Sequence, residues 1–267
     1  MKTTSIILVT HSNYCDICET FLSLFEKNWF DCPYPLYICI TGNFIKFKGY
    51  NCIYCGKDTT LPGCIAIAKN KIQSDYYICL LGDAFIYKRI NTDHVKKIIN
   101  NINYYKIDYC CLVPHKARIN CLKKINNDMR YISNKDVYCH SFVAFISNKK
   151  FIDIEFSNNI TDLFFEKKYM ADLCNKKMYY LSHALLLSNL FNIVPGIEKV
   201  KWNRLAYKSI KRNNLDIKLA NREINGFFLT LRNETIKILQ SIFPVKFRYI
   251  IKKILKNVFG IKFEIEY

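Results

Sequence analysis

The sequence predicts an α/β fold: a mostly parallel central sheet with helices on both faces, followed by a basic, amphipathic, helical C-terminal extension. Three observations predict it. Short apolar runs alternate with segments of helical periodicity as far as Pro114, the strand–helix–strand order of parallel sheets. The central run, Tyr76-Tyr-Ile-Cys-Leu-Leu81, carries no charge and ends on Gly82 and the acid Asp83. Positive charge gathers late: the 267-residue chain has a formal net charge of +18, and between Lys199 and Lys262 sixteen basic residues stand against three acids, so 13 of the 18 lie there.

The elements follow in order. Ser5-Ile-Ile-Leu-Val-Thr10 is a first buried strand, and His11-Ser12-Asn13 a loop or helix cap. Phe21, Leu22, Leu24, Phe25 and Trp29 recur at helical spacing, which predicts a helix from Glu19 to Trp29. Asp31-Cys-Pro-Tyr-Pro35 is a turn, Leu36 to Ile40 a second strand, and Cys52 to Cys55 a short third one. Pro62 opens a helix running to about Lys71. After the central strand, Asn91 or Thr92 caps a helix through Asn101, and Asp108 to Val113 forms another strand. Val137 to Ile146 reads as a strand, either parallel or antiparallel to the others, containing His140-Ser141. Thr161 to Glu166 leads into a charged helical segment, and Tyr179 to Val194 is apolar up to Pro195-Gly196. Val200-Lys-Trp-Asn-Arg204 precedes a helix to about Lys211. Residues 1–215 form one domain and 216–267 the extension.

Composition narrows the function. No Gly-x-Gly-x-x-Gly and no Gly-x4-Gly-Lys-Ser/Thr follows a strand, which disfavours dinucleotide dehydrogenases and P-loop enzymes. Met1-Lys2 leads straight into Ile6 to Val9 without a signal core, and thirteen cysteines is an odd count; both point to a reducing cytosol. Cys15-x-x-Cys18 and Cys52-x-x-Cys55 have zinc spacing, but they fall beside or within β segments and lack the glycine-rich knuckles of such sites, so metal-free thiols are expected. No apolar run reaches the ~18 residues that span a bilayer.

Asp83 stands at the carboxyl end of a core strand, where open α/β sheets bind ligands. A carboxylate is costly to bury there alone, and a divalent cation with a phosphate is one good partner. Gly82-Asp83 is equally common turn chemistry. Glu166 heads a Glu-Lys-Lys run and reads as a solvated helix face, unless Phe164 and Phe165 bury it and raise its pKa. Lys201 either faces solvent or pairs with a diphosphate, and Trp202 is a core anchor.

Taken in order, Thr10-His11-Ser12, Leu80-Leu-Gly-Asp83-Ala-Phe85, Phe164-Phe-Glu166 and Val200-Lys-Trp202 resemble the GT-A-fold glycosyltransferases of bacterial capsule and lipopolysaccharide assembly. The resemblance covers roughly residues 5–215. It implies a nucleotide-diphosphate sugar donor bound by Thr10, His11, Ser12, Asp83, Lys201 and Trp202, with Mn²⁺ or Mg²⁺ on Asp83. It also implies Glu166 as the general base, with His140 and Ser141 on the acceptor side. The acceptor it implies is a hydroxyl of a glycan or glycolipid. Three positions depart from the family pattern. One acid, Asp83, stands where the family has two; Leu61-Pro62-Gly63 replaces a Trp; and Val200 replaces a Gly before Lys-Trp.

Within residues 240–259, Phe243, Phe247, Ile250, Ile251, Ile254, Leu255 and Val258 form an apolar stripe beside Lys246, Arg248, Lys252, Lys253 and Lys256. This predicts either a helix packed on the domain or one lying on an anionic membrane surface, at the inner face of the cytoplasmic membrane. The rival readings are a nucleotidyltransferase on a similar sheet and a basic, non-catalytic membrane- or nucleic-acid-binding protein. Nucleic acid is not expected as a partner, because the basic residues lie outside the predicted sheet and no recognition motif is present.

Overall fold

The computed structural model describes residues 2–114, 123–133, 139–156, 160, 161, 164, 165, 180–198, 200–213, 222–227, 230, 231, 235 and 257. Among the described residues eight strands make the main sheet: β1 (Thr4–His11), β2 (Leu36–Thr41), β3 (Asn51–Gly56), β4 (Tyr76–Leu81), β6 (Tyr109–Cys111), β7 (Met129–Ile132), β8 (Ala144–Asn148) and β9 (His183–Leu186). Their order is β3-β2-β1-β4-β8-β6-β9-β7. Six run the same way; β8 and β7 are antiparallel to their neighbours. The mostly parallel sheet expected from the sequence is therefore present.

Helices α1 (Cys15–Asn28), α2 (Leu61–Lys71), α3 (Thr92–Tyr104) and α4 (Lys149–Glu155) cover both faces. Alternation along β1 explains how. Ile6 and Leu8 pack with Ile17, Phe21 and Phe25 of α1 and with Val95 and Ile98 of α3. Ile7 and Val9 point the other way, onto Cys64, Ile65 and Ala68 of α2, in the core that also holds Phe151 and Ile152 of α4. Caps fix the helix starts: Thr60 Oγ1 accepts from the Gly63 N–H at 3.1 Å, and Asn91 Oδ1 accepts from the His94 N–H at 3.0 Å. Helix α1 begins at Cys15 rather than Glu19, because Ile17 and Cys18 already face the core.

Two small ribbons complete the described part. Strand β5 (Ala84–Ile86) pairs antiparallel with β10 (Ile193–Pro195), and β11 (Ile197–Glu198) pairs with β12 (Lys201–Trp202). Helix α5 (Arg204–Arg212) follows, capped by Asn203, whose Oδ1 accepts from the Leu205 N–H at 2.9 Å. Residues 222–225 return along β12: the Trp202 N–H donates to Glu223 O, and the Asn225 N–H to Trp202 O. That strap lies beyond residue 215, yet it packs on the main unit. Nearly all of residues 240–259 lie outside the described residues.

Strand β8 starts at Ala144, not Val137, and residues 139–143 are not strand. Cys139, His140 and Phe142 instead turn into the core under α2 and α4. Among the described residues no helix is long and apolar enough to cross a membrane.

Candidate functional site

The chain order of the sheet reverses between β1 and β4. From β1 the path runs outward through β2 and β3, then returns to β4 on the other side of β1. The carboxyl ends of these two strands diverge at such a switch point, and a crevice opens there. The cavity found at that place has a volume of about 300 Å³. Val9, Thr10 and His11 line it from β1, and Leu81, Gly82 and Asp83 from β4; Tyr14, Ile17, Leu61, Ile197 and Val200 complete the wall.

Among the described residues Asp83 is its sole lining carboxylate. The Asp83 carbonyl accepts from the Gly196 N–H at 2.7 Å and the Phe85 N–H at 3.0 Å. Burial pushes its carboxyl pKa above the ordinary 3.8, and the backbone N–H of Ile197, bonded to the carboxylate, pulls it partly back. Gly196 makes this approach possible: a Cβ there would stand 2.5 Å from the Phe85 ring. Phe85 in turn packs on Trp202, centroid to centroid 6.0 Å.

His11 is held by its own loop. Its Nδ1 accepts from the Asn13 N–H at 3.0 Å, so in the neutral ring Nε2 carries the hydrogen. Ser12 Oγ accepts from the Asn43 N–H at 2.9 Å, and the loop packs on Gly42, which has φ +86° and no room for a Cβ beside Ser12. Tyr14 lies under the strap: the Arg222 guanidinium sits 5.2 Å from its ring centroid and forks onto Asp16 at 3.2 and 3.4 Å.

The structure thus brings Thr10, His11 and Asp83 into one cavity, with Ser12 just behind. Lys201 does not line it; its ammonium pairs with Glu223 on the surface. Trp202 is buried and packs on Phe85. His140 corrects an expectation. It was expected on the acceptor side, but it is fully buried, stacked on Phe165 at 4.7 Å with its Nε2 2.7 Å from His183 Nε2. Ser141 next to it donates its backbone N–H to Tyr109 Oη at 2.7 Å. Glu166 lies outside the described residues.

Sequence reasoning missed Tyr14, Ile17, Leu61, Ile197 and Val200. The last two reach the cavity through a turn for which Pro195-Gly196 is the sequence signal. Val200 has φ +69°, a left-handed conformation that suits glycine and strains a β-branched side chain. The Gly that the resemblance expects before Lys-Trp fits that backbone.

Among the described residues no three His, Cys, Asp or Glu side chains gather in a way that could hold a metal. Among the described residues, a cation at Asp83 would meet one protein carboxylate, leaving the rest of its shell to a bound phosphate and water. Mg²⁺ accepts such a shell, so the residues present fit it.

No family model matches the chain, and no curated protein matches it. Solved structures resemble it at low identity. One is residues 1–349 of TarS from S. aureus in complex with UDP-GlcNAc: identity 14%, covering 81% of this chain and 68% of that one, TM-score 0.46. A second is the mannosyltransferase PcManGT from Pyrobaculum calidifontis in complex with GDP-Man and Mn²⁺: identity 10%, covering 75% of this chain and 59% of that one, TM-score 0.47. The third is a cytidylyltransferase from Leptospira borgpetersenii: identity 11%, covering 64% of this chain and 72% of that one, TM-score 0.40.

Proposed function

We propose that the protein is a glycosyltransferase moving a sugar from a nucleotide-diphosphate donor to a hydroxyl of a growing, lipid-linked cell-surface glycan. One observation carries this reading: a partly buried carboxylate, Asp83, at the switch point between β1 and β4, in a cavity large enough for a ligand. A carboxylate whose pKa is raised by burial is stabilised by any cation that arrives with the ligand.

In this reading Asp83 is the residue that would hold Mn²⁺ or Mg²⁺, should the donor bring one. The bound ion would neutralise charge on the leaving phosphate. The Thr10 hydroxyl and the Nε2–H of His11 donate to the donor from the β1 side. Glu166 takes the proton from the acceptor hydroxyl. Replacing Glu166 by Gln should then lower turnover by about 10²–10⁴-fold while leaving donor binding intact. The protein works in the cytoplasm, held peripherally at the inner face of the membrane.

The test is donor hydrolysis. The purified protein is given a panel of nucleotide sugars with and without Mn²⁺. Slow release of nucleoside diphosphate from one donor supports the reading and names the donor. Release of pyrophosphate from a nucleoside triphosphate in place of sugar transfer overturns it in favour of a nucleotidyltransferase.

A further inference from the structure

We propose that a basic, apolar shelf at the mouth of the cavity docks on an anionic lipid surface. Val200, Leu205 and Phe227 are 65%, 47% and 57% exposed, and Ile224 is exposed beside them. They form one neighbourhood. Val200 immediately precedes β12, Ile224 bridges Trp202 of β12, Leu205 opens α5, and the Arg204 guanidinium lies 5.7 Å from the Phe227 ring centroid. Large apolar side chains grouped on a surface mark an interaction site.

Their surroundings say what kind. Helix α5, Arg204-Leu-Ala-Tyr-Lys-Ser-Ile-Lys-Arg212, has four cations and no acid. Ala206, Ser209 and Ile210 are its buried residues. Leu205, Lys208 and Arg212 recur at three- and four-residue spacing on the opposite side, all exposed. Among the described residues the acids nearby are engaged: Glu223 with Lys201, and Glu198 with the Asn225 side chain. Apolar side chains flanked by long cationic stems suit the boundary between lipid headgroups and acyl chains. A nucleic-acid backbone would reward the cations but leave Val200, Leu205 and Ile224 without a partner.

Val200 belongs to both the shelf and the cavity wall. A surface docked on the shelf therefore brings headgroups to the cavity mouth. This deepens the membrane part of the function proposed above, and rests on that function only for what the cavity does with them.

The test uses the full chain and no donor. Co-sedimentation is measured with neutral phosphatidylcholine vesicles and with vesicles enriched in phosphatidylglycerol, at low and high salt. Salt-sensitive binding to the anionic vesicles alone is expected. Each cation removed near such a surface costs about fivefold in partitioning, so Lys208→Ala with Arg212→Ala should lower binding roughly 25-fold. Leu205→Ser with Phe227→Ser should weaken binding independently, including at higher salt. The two pairs are separate, so a folding defect in one, seen as a shifted melting curve, leaves the other to decide. The proposal is overturned if the wild-type protein ignores anionic vesicles, or if a folded variant of either pair binds like wild type. It is also overturned if Leu205→Ser with Phe227→Ser only dissociates a dimer. Donor hydrolysis is read in parallel: vesicle binding without hydrolysis of any donor sinks the enzymatic reading and leaves the shelf standing.

Discussion

Gly196→Ala is the sharpest test of how the site is held. The new Cβ would meet three Phe85 ring carbons at 2.5, 2.7 and 3.0 Å. Ordinary carbon contacts lie at about 3.5–4.0 Å, so the ring or the residue 196 backbone must retreat by roughly 1 Å. Phe85 is fully buried against Trp202 and cannot move freely. Overpacking of this kind costs about 1–3 kcal/mol. At about 2–4 °C per kcal/mol, the melting temperature should fall by roughly 2–12 °C. Backbone retreat would also lengthen the bonds from residues 196 and 197 to Asp83. The assay is urea unfolding of wild type, Gly196→Ala, Phe85→Leu and the double variant. The smaller Leu makes room, so the double variant should recover at least about 1 kcal/mol relative to additivity. Additivity within about 0.5 kcal/mol, or a single variant as stable as wild type, refutes the clash.

Four other outcomes follow from the same geometry. Val200→Gly removes a left-handed β-branched residue, a strain of about 1–2 kcal/mol, against about 0.5–1 kcal/mol of extra glycine entropy; a small net gain in urea stability is expected, and a loss would contradict the strain. The raised pKa of Asp83 means that the folded state holds its proton more tightly than the unfolded one, so this group's contribution is favourable below the ordinary 3.8 and is lost as pH rises through the folded value. Asp83→Asn should therefore melt higher than wild type at neutral pH, the two curves converging as pH falls toward 3.8, and parallel curves at all pH would argue against the burial. Arg222→Ala, which loses the fork onto Asp16 and the cover over Tyr14, should cost about 1 kcal/mol, coupled to Asp16→Ala in a double-mutant cycle. Burial pushes the Cys79 and Cys110 thiols up and that of Cys32 up to about 12, so most of the thirteen cysteines should react with a thiol reagent only after unfolding; one bound zinc per chain, lost on replacing Cys15 and Cys18, would contradict the thiol reading.

The first half of the fold was legible because each of its strands is a local apolar run. Ile6 to Val9, Ile38 to Ile40 and Tyr76 to Leu80 are buried on both faces, and such strands advertise themselves without reference to a partner. The second half depends on pairings between distant positions. Tyr109 lies opposite His183, and Cys110 opposite Ala184, and nothing in either segment alone names the other. Strands β5, β10, β11 and β12 are two or three residues long, below what a periodic pattern can reveal. The site divides along the same line. Thr10, His11 and Asp83 line the cavity from the ends of readable strands. Ile197 and Val200 are apolar and arrive by a turn. His140 was placed on the acceptor side by the resemblance, within a strand expected from Val137, whereas a buried aromatic and imidazole cluster around Tyr109 and Phe151 accommodates it in the core.

The strap that crosses Trp202 has a kinetic consequence. Arg222 reaches Asp16 across 206 positions, and the Lys27 side chain reaches the Asn213 carbonyl across 186. Contacts this remote in sequence are slow to form, since the loop they close must be ordered before it is rewarded. The parallel core of β1, β2 and β4 can condense from the first third of the chain. The clamp on Asp83 must wait for residues 196 and 197, and the cover over Tyr14 for residue 222. In refolding, far-ultraviolet circular dichroism should therefore recover before ligand binding does. A protein that has regained its secondary structure would still lack the cover over Tyr14 until residue 222 has docked.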